Sequence, residues 1–177
     1  EAQLTDFFGG HAEHFGNTSK DLPYEFRWLG DYSVTECFAF TMELLTLDAG
    51  WLKQHLHMPD DVIKAYQKYA YTVLFYLIRR YSSKLEYELQ LHDPRPLDGK
   101  AHLYSEVMEK NLLVTHDADL YLSDVDAGFY SANYLRAWIM WAQLRKHLKK
   151  EFGEQWFNSH EAGAYLKTIW SLGQSLP

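Results

Sequence analysis

Three side chains with the chemistry of zinc ligands lie near the beginning of the chain. His11 and His14 stand close together, and Glu36 follows His11 after 24 intervening residues, 12–35. Imidazole nitrogens and carboxylate oxygens are both good ligands for zinc. Two helices joined by a connection of this length can bring a histidine of one to a glutamate of the other. The spacing therefore permits a metal site at His11 and Glu36, with His14 as a further candidate ligand.

Helices must position these residues, because the apolar residues recur at helical spacing along nearly the whole chain. We find no stretch as long as a strand in which apolar and polar residues alternate, and no internal repeat or flexible linker. The pattern therefore predicts an all-α, multi-helix fold forming one helical domain over residues 1–177. The expected helices cover approximately residues 2–15, 33–47, 49–56, 60–91, 99–114, 129–152 and 159–172.

Two of the three candidate ligands have a second interpretation. Ser33 and Glu36 have the spacing of a capping box, in which Glu36 would serve the N-terminus of its helix rather than a metal. His14 lies three residues after His11, on a neighbouring helical face, and in the second interpretation it simply points to solvent.

The surrounding sequence resembles a known family. The stretches at 10–15 (GHAEHF), 20–23 (KDLP) and 33–36 (SVTE) are similar to the core of the gluzincin zinc metallopeptidases, near thimet oligopeptidase and oligoendopeptidase F. In that family one helix carries His-Glu-x-x-His, and a glutamate on the next helix is the third ligand. The resemblance places His11 at the second histidine and Glu36 at the third ligand. It implies a zinc cofactor, a gluzincin-like helical domain and hydrolysis of short peptides in a deep cleft.

A second stretch extends the resemblance toward the C-terminus. Residues 126–135 (DAGFYSANYL) are similar to the family's Gly-Tyr-Tyr-Ser-Tyr-type segment, whose tyrosines stabilise the tetrahedral intermediate. The resemblance makes Tyr130 and Tyr134 candidate catalytic residues. They are one helical turn apart, so both can face one cleft. Packing in an aromatic-rich core is the alternative interpretation.

The chain departs from the family's motif at two positions. The first histidine would fall on Phe7 and the catalytic glutamate on Phe8, and neither side chain binds zinc or moves a proton. Glu13 lies nearly opposite a site shared by His11 and His14. The sequence thus indicates a peptidase-like region with impaired or no activity.

Two alternatives stay open. The chain is either a degenerate helical scaffold for binding, with Phe7 and Phe8 extending the core, or part of a longer peptidase. The start at Glu1 rather than Met favours a processed or excised piece.

Composition limits the partners. The chain is 47% apolar with a formal net charge of −7, whereas nucleic acids and anionic membranes select basic patches. We therefore expect neither as a partner. The apolar runs fall short of the roughly 20 residues that cross a bilayer. The single cysteine, Cys37, excludes an intrachain disulfide and is compatible with the cytoplasmic location that we expect.

Two further clusters are weaker metal candidates. His55 and His57 alternate on a short segment. Four aspartates lie in 117–126, but the loop lacks the glycine and terminal glutamate of an EF-hand. We therefore expect these aspartates to serve turns and helix caps.

Overall fold

The computed structural model describes residues 2–94, 96 and 98–175, with side chains from residue 8 onward. These residues contain helices and no strand, which confirms the all-α prediction. The helices are α1 (Ala2–Asn17), α2 (Tyr24–Trp28), α3 (Tyr32–Glu43), α4 (Ala49–Leu56), α5 (Asp60–Leu91), α6 (Lys100–Leu112), α7 (Tyr130–Phe152) and α8 (His160–Trp170). Short 3-10 turns lie at Leu44–Leu47, Ala118–Tyr121, Ala127–Phe129 and Trp156–Asn158.

The start of α3 differs from the predicted one. Asp31, not Ser33, is the N-cap, because its carboxylate accepts hydrogen bonds from the backbone N–H of Ser33 (2.9 Å) and from the Ser33 hydroxyl (2.6 Å). Aspartate caps helices as well as serine does. The capping-box interpretation of Glu36 is therefore wrong, since Glu36 lies in the second turn of the helix.

Residues 20–31 contain a helix that the sequence did not suggest. Pro23, with φ −52°, precedes the five-residue α2, and its carbonyl accepts hydrogen bonds from the N–H groups of Phe26 and Arg27. Proline fixes φ near the helical value, so it starts a helix as readily as it ends one.

The chain divides into two compact units. The first is formed by the described residues of Glu1–Lys68 and Arg136–Pro177, and the second by those of Tyr69–Leu135. Helices α5 and α7 contribute residues to both units. The expectation of one domain over residues 1–177 stays a prediction.

Helix α3 is the central element of the first unit. All residues from Ser33 to Thr41 are buried, so this helix is covered on every side. The apolar cluster around it comprises Val34, Phe38, Leu148, Trp156, Ala162, Leu166 and Trp170, from α3, α7, α8 and the turn before α8. Polar residues on α3 must therefore find partners inside the protein, because an unpaired buried polar group is costly.

The end of the described chain is hydrogen-bonded to its beginning within the first unit. The backbone N–H of Ser19 donates to Ser171 (3.0 Å), and that of Gln174 donates to Phe26 (2.7 Å). The Thr18 hydroxyl, in turn, donates to the carbonyl of His14 (2.9 Å). The segments after α1 and after α8 are thereby fixed to each other.

The second unit has its own core between α5 and α6. Its buried residues are Tyr87, Leu91, Tyr104, Val107, Met108 and Leu112. The rings of Tyr87 and Tyr104 pack edge to face with centroids 5.0 Å apart. Across all the residues that the structure describes, every helix is too short or too polar to cross a bilayer.

Candidate functional site

Helices α1 and α3 approach each other closely at Gly10. A Cβ atom there would lie 2.5 Å from the Cα of Ala39 and 2.5 Å from the carbonyl oxygen of Phe38. Both distances are far inside van der Waals contact. Glycine therefore permits this crossing, and the next residue of α1, His11, is placed directly against α3.

His11 contacts two adjacent residues of α3. Its Nδ1 atom lies 2.8 Å from the hydroxyl oxygen of Thr35, and its Nε2 atom lies 3.5 Å from a carboxylate oxygen of Glu36. The side chain of His11 is 22% exposed, that of Glu36 is 5% exposed, and Thr35 is buried. The structure thus brings together the two residues that the spacing paired, with one edge of the imidazole still open to solvent.

The separation between His11 and Glu36 has a definite chemical meaning. Two ligand atoms bound to one tetrahedral zinc ion at the usual bond lengths lie about 3.3–3.5 Å apart. The observed 3.5 Å between Nε2 and Oε2 falls in that range. It also suits a direct contact between an imidazolium and a carboxylate. The distance between these two atoms is therefore compatible with a shared metal ion as well as with a direct contact.

His14 takes a different place from the one expected. It is fully buried rather than directed to solvent, and its Nε2 donates to the carbonyl of Gly173 (3.1 Å). Its ring packs on Phe15 and Phe38, with centroids 5.1 and 4.8 Å away. The solvent-facing interpretation is therefore wrong.

Burial also keeps the His14 imidazole uncharged. It lowers the pKa of His14 to about 4, assisted by the nearby His11 and opposed by the hydrogen bond to Gly173. The Nδ1 atom is buried without a hydrogen-bond partner. Within the described residues, no three His, Cys, Asp or Glu side chains form a group suited to a metal ion. The role of His14 as a third ligand stays a prediction.

The positions that depart from the family's motif lie on α1. Phe8 is 61% exposed, so the expectation that it extends the apolar core is wrong. The side chain of Phe7 lies outside the described residues. Glu13 is exposed and its carboxylate accepts a hydrogen bond from the Asn17 amide (3.1 Å). None of these observations supplies a proton acceptor beside His11 and Glu36.

Tyr130 and Tyr134 lie in the first turns of α7, in the second unit. Their rings contact each other at a centroid distance of 5.2 Å, and Tyr134 also packs on Tyr81 of α5 at 4.8 Å. Both tyrosines are half-buried. They do share a face, as their spacing predicted, and their role as oxyanion donors stays a prediction.

The Asp-rich loop has a structural role in the second unit. Asp117 caps the turn Ala118–Tyr121, as expected for an aspartate of this loop. Asp124 accepts two hydrogen bonds from Arg80 (2.9 Å each) and one from the Tyr104 hydroxyl (2.8 Å). Lys84 lies 3.3 Å from Asp124. The sequence did not indicate this network.

Two more carboxylates complete the network. Asp126 lies 2.9 Å from the ammonium of Lys84, and its backbone N–H donates to the fully buried Glu88 (2.8 Å). Burial alone would raise the pKa of Asp124, but the bonds from Arg80 and Tyr104 outweigh it and lower the pKa. For Glu88 burial prevails, and its pKa is raised.

The second histidine pair lies at the C-terminal end of α4. His55 and His57 are both exposed, and His55 packs on Trp51 and Phe157 at centroid distances of 5.3 and 6.1 Å. His57 ends α4 in the left-handed conformation with φ 52°. These contacts account for both residues without a metal.

Sequence reasoning missed two residues of the candidate site, Gly10 and Thr35. Gly10 directly precedes His11, and a glycine inside a helical pattern often marks close packing. Thr35 directly precedes Glu36, but nothing in the pattern distinguishes it from other buried threonines.

Comparisons of the chain with family models, curated protein sequences and solved structures find no match.

Proposed function

We propose that this chain is the catalytic region of a zinc-metallopeptidase-like protein of the gluzincin type, similar to thimet oligopeptidase and oligoendopeptidase F. Its cofactor would be zinc and its partners short peptides. The observation that supports this proposal is the 3.5 Å separation of His11 Nε2 and Glu36 Oε2, the spacing of two ligands on one tetrahedral ion.

The residues present fit the metal better than they fit catalysis. His11 and Glu36 would hold the ion, which in such a site acidifies a water and polarises the substrate carbonyl. A carboxylate must also accept the proton of that water. The residue at the expected position is Phe8, and Glu13 is bonded to Asn17. We therefore propose weak zinc binding and little or no hydrolysis by the chain as it stands.

Tyr130 and Tyr134 complete the proposal as candidate oxyanion donors. Tyrosine hydroxyls stabilise developing negative charge when they are held rigidly. Packing between the two rings and against Tyr81 provides such rigidity. The expected cytoplasmic location belongs to the same proposal and rests on the single cysteine.

The test is a zinc measurement combined with restoration of the motif. Elemental analysis after equilibrium dialysis against a fixed zinc concentration should find excess zinc with the wild-type protein and none with His11→Ala. The double variant Phe7→His with Phe8→Glu should bind more zinc and cleave a panel of short peptides, because residues 7 and 11 lie one turn apart on α1. Phe7→Ala with Phe8→Ala is the matched control. No zinc in either the wild-type or the restored protein would refute the proposal.

A second candidate function is a non-catalytic binding scaffold. The fully buried His14 favours it, because its Nε2 atom is bonded to the carbonyl of Gly173 and is thereby withdrawn from a metal shared with His11. This candidate predicts that the wild-type chain binds no zinc, even where the restored double variant does. Peptide cleavage by the wild-type chain that Glu36→Ala abolishes would exclude it.

A further inference from the structure

Thr35 uses its hydroxyl differently from a comparable threonine of α3. Thr41, also buried on α3, donates to the carbonyl of Cys37 one turn earlier at 2.7 Å. That bond is usual for a threonine within a helix. The hydroxyl of Thr35, 2% exposed, lies 2.8 Å from Nδ1 of His11, on the other helix. Thr35 therefore serves the imidazole of His11.

The contact decides where the proton of the imidazole can lie. A neutral imidazole carries one N–H, on either Nδ1 or Nε2. With the proton on Nε2, the ring donates toward Glu36 and Nδ1 accepts from the Thr35 hydroxyl. With the proton on Nδ1, the ring donates to Thr35, and the Nε2 lone pair faces the carboxylate. Two electron-rich atoms 3.5 Å apart then repel each other unless a proton or a metal cation lies between them.

A hydroxyl can take part in both arrangements, because it donates one hydrogen bond and accepts others. A methyl group in its place could do neither. Histidine ligands of metals usually give their second N–H to such a partner, which fixes the ring and the tautomer. The hydroxyl of Thr35 meets that requirement from within a buried helix, where its own position is fixed.

We propose that Thr35 is the positioning residue of the candidate site. It holds the ring of His11 through Nδ1, so that Nε2 is presented to a divalent cation shared with Glu36. This inference rests on the proposed function and adds to it the residue that orients the ring of its histidine ligand. Thr35 itself contacts neither the cation nor a substrate.

The test compares three single variants of the full chain. Thr35→Val keeps the shape and removes the hydroxyl, Thr35→Ser keeps the hydroxyl, and Thr41→Val removes a hydroxyl that bonds to backbone on the same helix. Zinc affinity is measured by calorimetric titration, with cobalt as a spectroscopic probe. We expect Thr35→Val to weaken zinc binding about 10- to 100-fold, whereas Thr35→Ser and Thr41→Val retain it.

The second readout is the nitrogen spectrum of the His11 ring in ¹⁵N-histidine-labelled protein, assigned by its loss in His11→Gln. In the wild type with zinc, the N–H should be on Nδ1. In metal-free Thr35→Val the Nδ1 resonance should move from its wild-type position, and in metal-free Thr41→Val it should not. Circular dichroism verifies that each variant is folded.

The outcomes separate the two proposals. Equal zinc binding by wild type and Thr35→Val overturns the role of Thr35 and leaves the proposed function standing. Zinc binding by none of the proteins overturns the proposed function. In that case the metal-free spectrum decides on Thr35, because an unchanged His11 ring in Thr35→Val overturns its positioning role and a changed ring supports it.

Discussion

Both units bury carboxylates, but the partners that neutralise them differ in kind. In the second unit, Asp124 is bonded to Arg80 and lies 3.3 Å from Lys84, whose charges are permanent at neutral pH. In the first unit, the carboxylate of Glu36 faces the imidazole of His11. An imidazole is charged only when it is protonated.

This difference separates a structural network from a candidate site. Asp124 and Asp126 already have cations within the chain, so a metal ion has nothing to add there. The imidazole that faces Glu36 carries a charge only conditionally, and a proton or a metal ion can supply that charge. Buried acidic residues alone therefore do not indicate function, whereas the nature of their partners does.

The largest expected effect tests the comparison directly, through one carboxylate-to-amide change in each unit. Asp124→Asn should lower the free energy of unfolding by about 3 kcal/mol. The substitution removes the negative charge that neutralises the partly buried cations of Arg80 and Lys84. Glu36→Gln should cost only about 1 kcal/mol, because an amide still hydrogen-bonds to a neutral imidazole. Urea denaturation of the metal-free proteins measures both.

The comparison would break if the two changes cost the same. A loss at Glu36→Gln as large as that at Asp124→Asn would mean that Glu36 belongs to a fixed ion pair. The exposed pair of Lys53 and Asp60 (3.0 Å) provides the baseline. Asp60→Asn should change stability by less than about 1 kcal/mol.

The next effect concerns the buried His14 and depends on pH. Its pKa falls from 6.5 to about 4 on folding, so the unfolded chain binds the proton more readily. The free energy of unfolding should therefore be highest above pH 6.5 and should decrease by about 3 kcal/mol as the pH falls to 4. Denaturation midpoints measured between pH 7 and 4 test this.

His14→Gln is the control for that pH dependence, because glutamine does not titrate. Glu88 acts in the opposite direction, since burial raises the pKa of its carboxyl group and its contribution decreases as the pH rises. The difference between wild type and His14→Gln isolates the histidine. Parallel pH curves for the two proteins would contradict the burial of an uncharged His14.

A smaller effect than that of Asp124→Asn concerns the close crossing of α1 and α3 at Gly10. Gly10→Ala should lower the free energy of unfolding by about 2 kcal/mol, because its Cβ would overlap α3. It should also weaken any zinc binding, since His11 moves with α1. Gly9→Ala is the matched control, with no atom within 4 Å of its Cβ, and should stabilise the helix by about 0.5–1 kcal/mol. Equal effects at both glycines would refute the close crossing.

The helical fold could be predicted from the apolar periodicity, and the pairing of His11 with Glu36 from the resemblance to the gluzincin motif, which the spacing permits. The apolar periodicity determines where α1 and α3 lie, and 24 intervening residues suffice to bring one helix to the other. The start of α3 was misjudged because Asp31 and Ser33 are both good N-caps. Local propensity does not rank them.

The surroundings of the pair could not be predicted, because they depend on distant residues. His14 is buried by a carbonyl 159 positions later in the chain, and no local pattern carries that information. The role of Thr35 depends on the rotation of α1 about its axis. Asp124 and Asp126, in the loop at 117–126, are paired with cations on α5, namely Arg80 and Lys84.

The bonds that fix the segment after α8 to the segment after α1 also determine an order of assembly. The first unit is made from two stretches of chain, and the contact of His14 with Gly173 closes a long loop, which is entropically expensive. The second unit is one continuous stretch with local contacts, and such units fold faster. During synthesis the second unit can therefore fold before residue 173, which the first unit needs for its contact with His14, has left the ribosome.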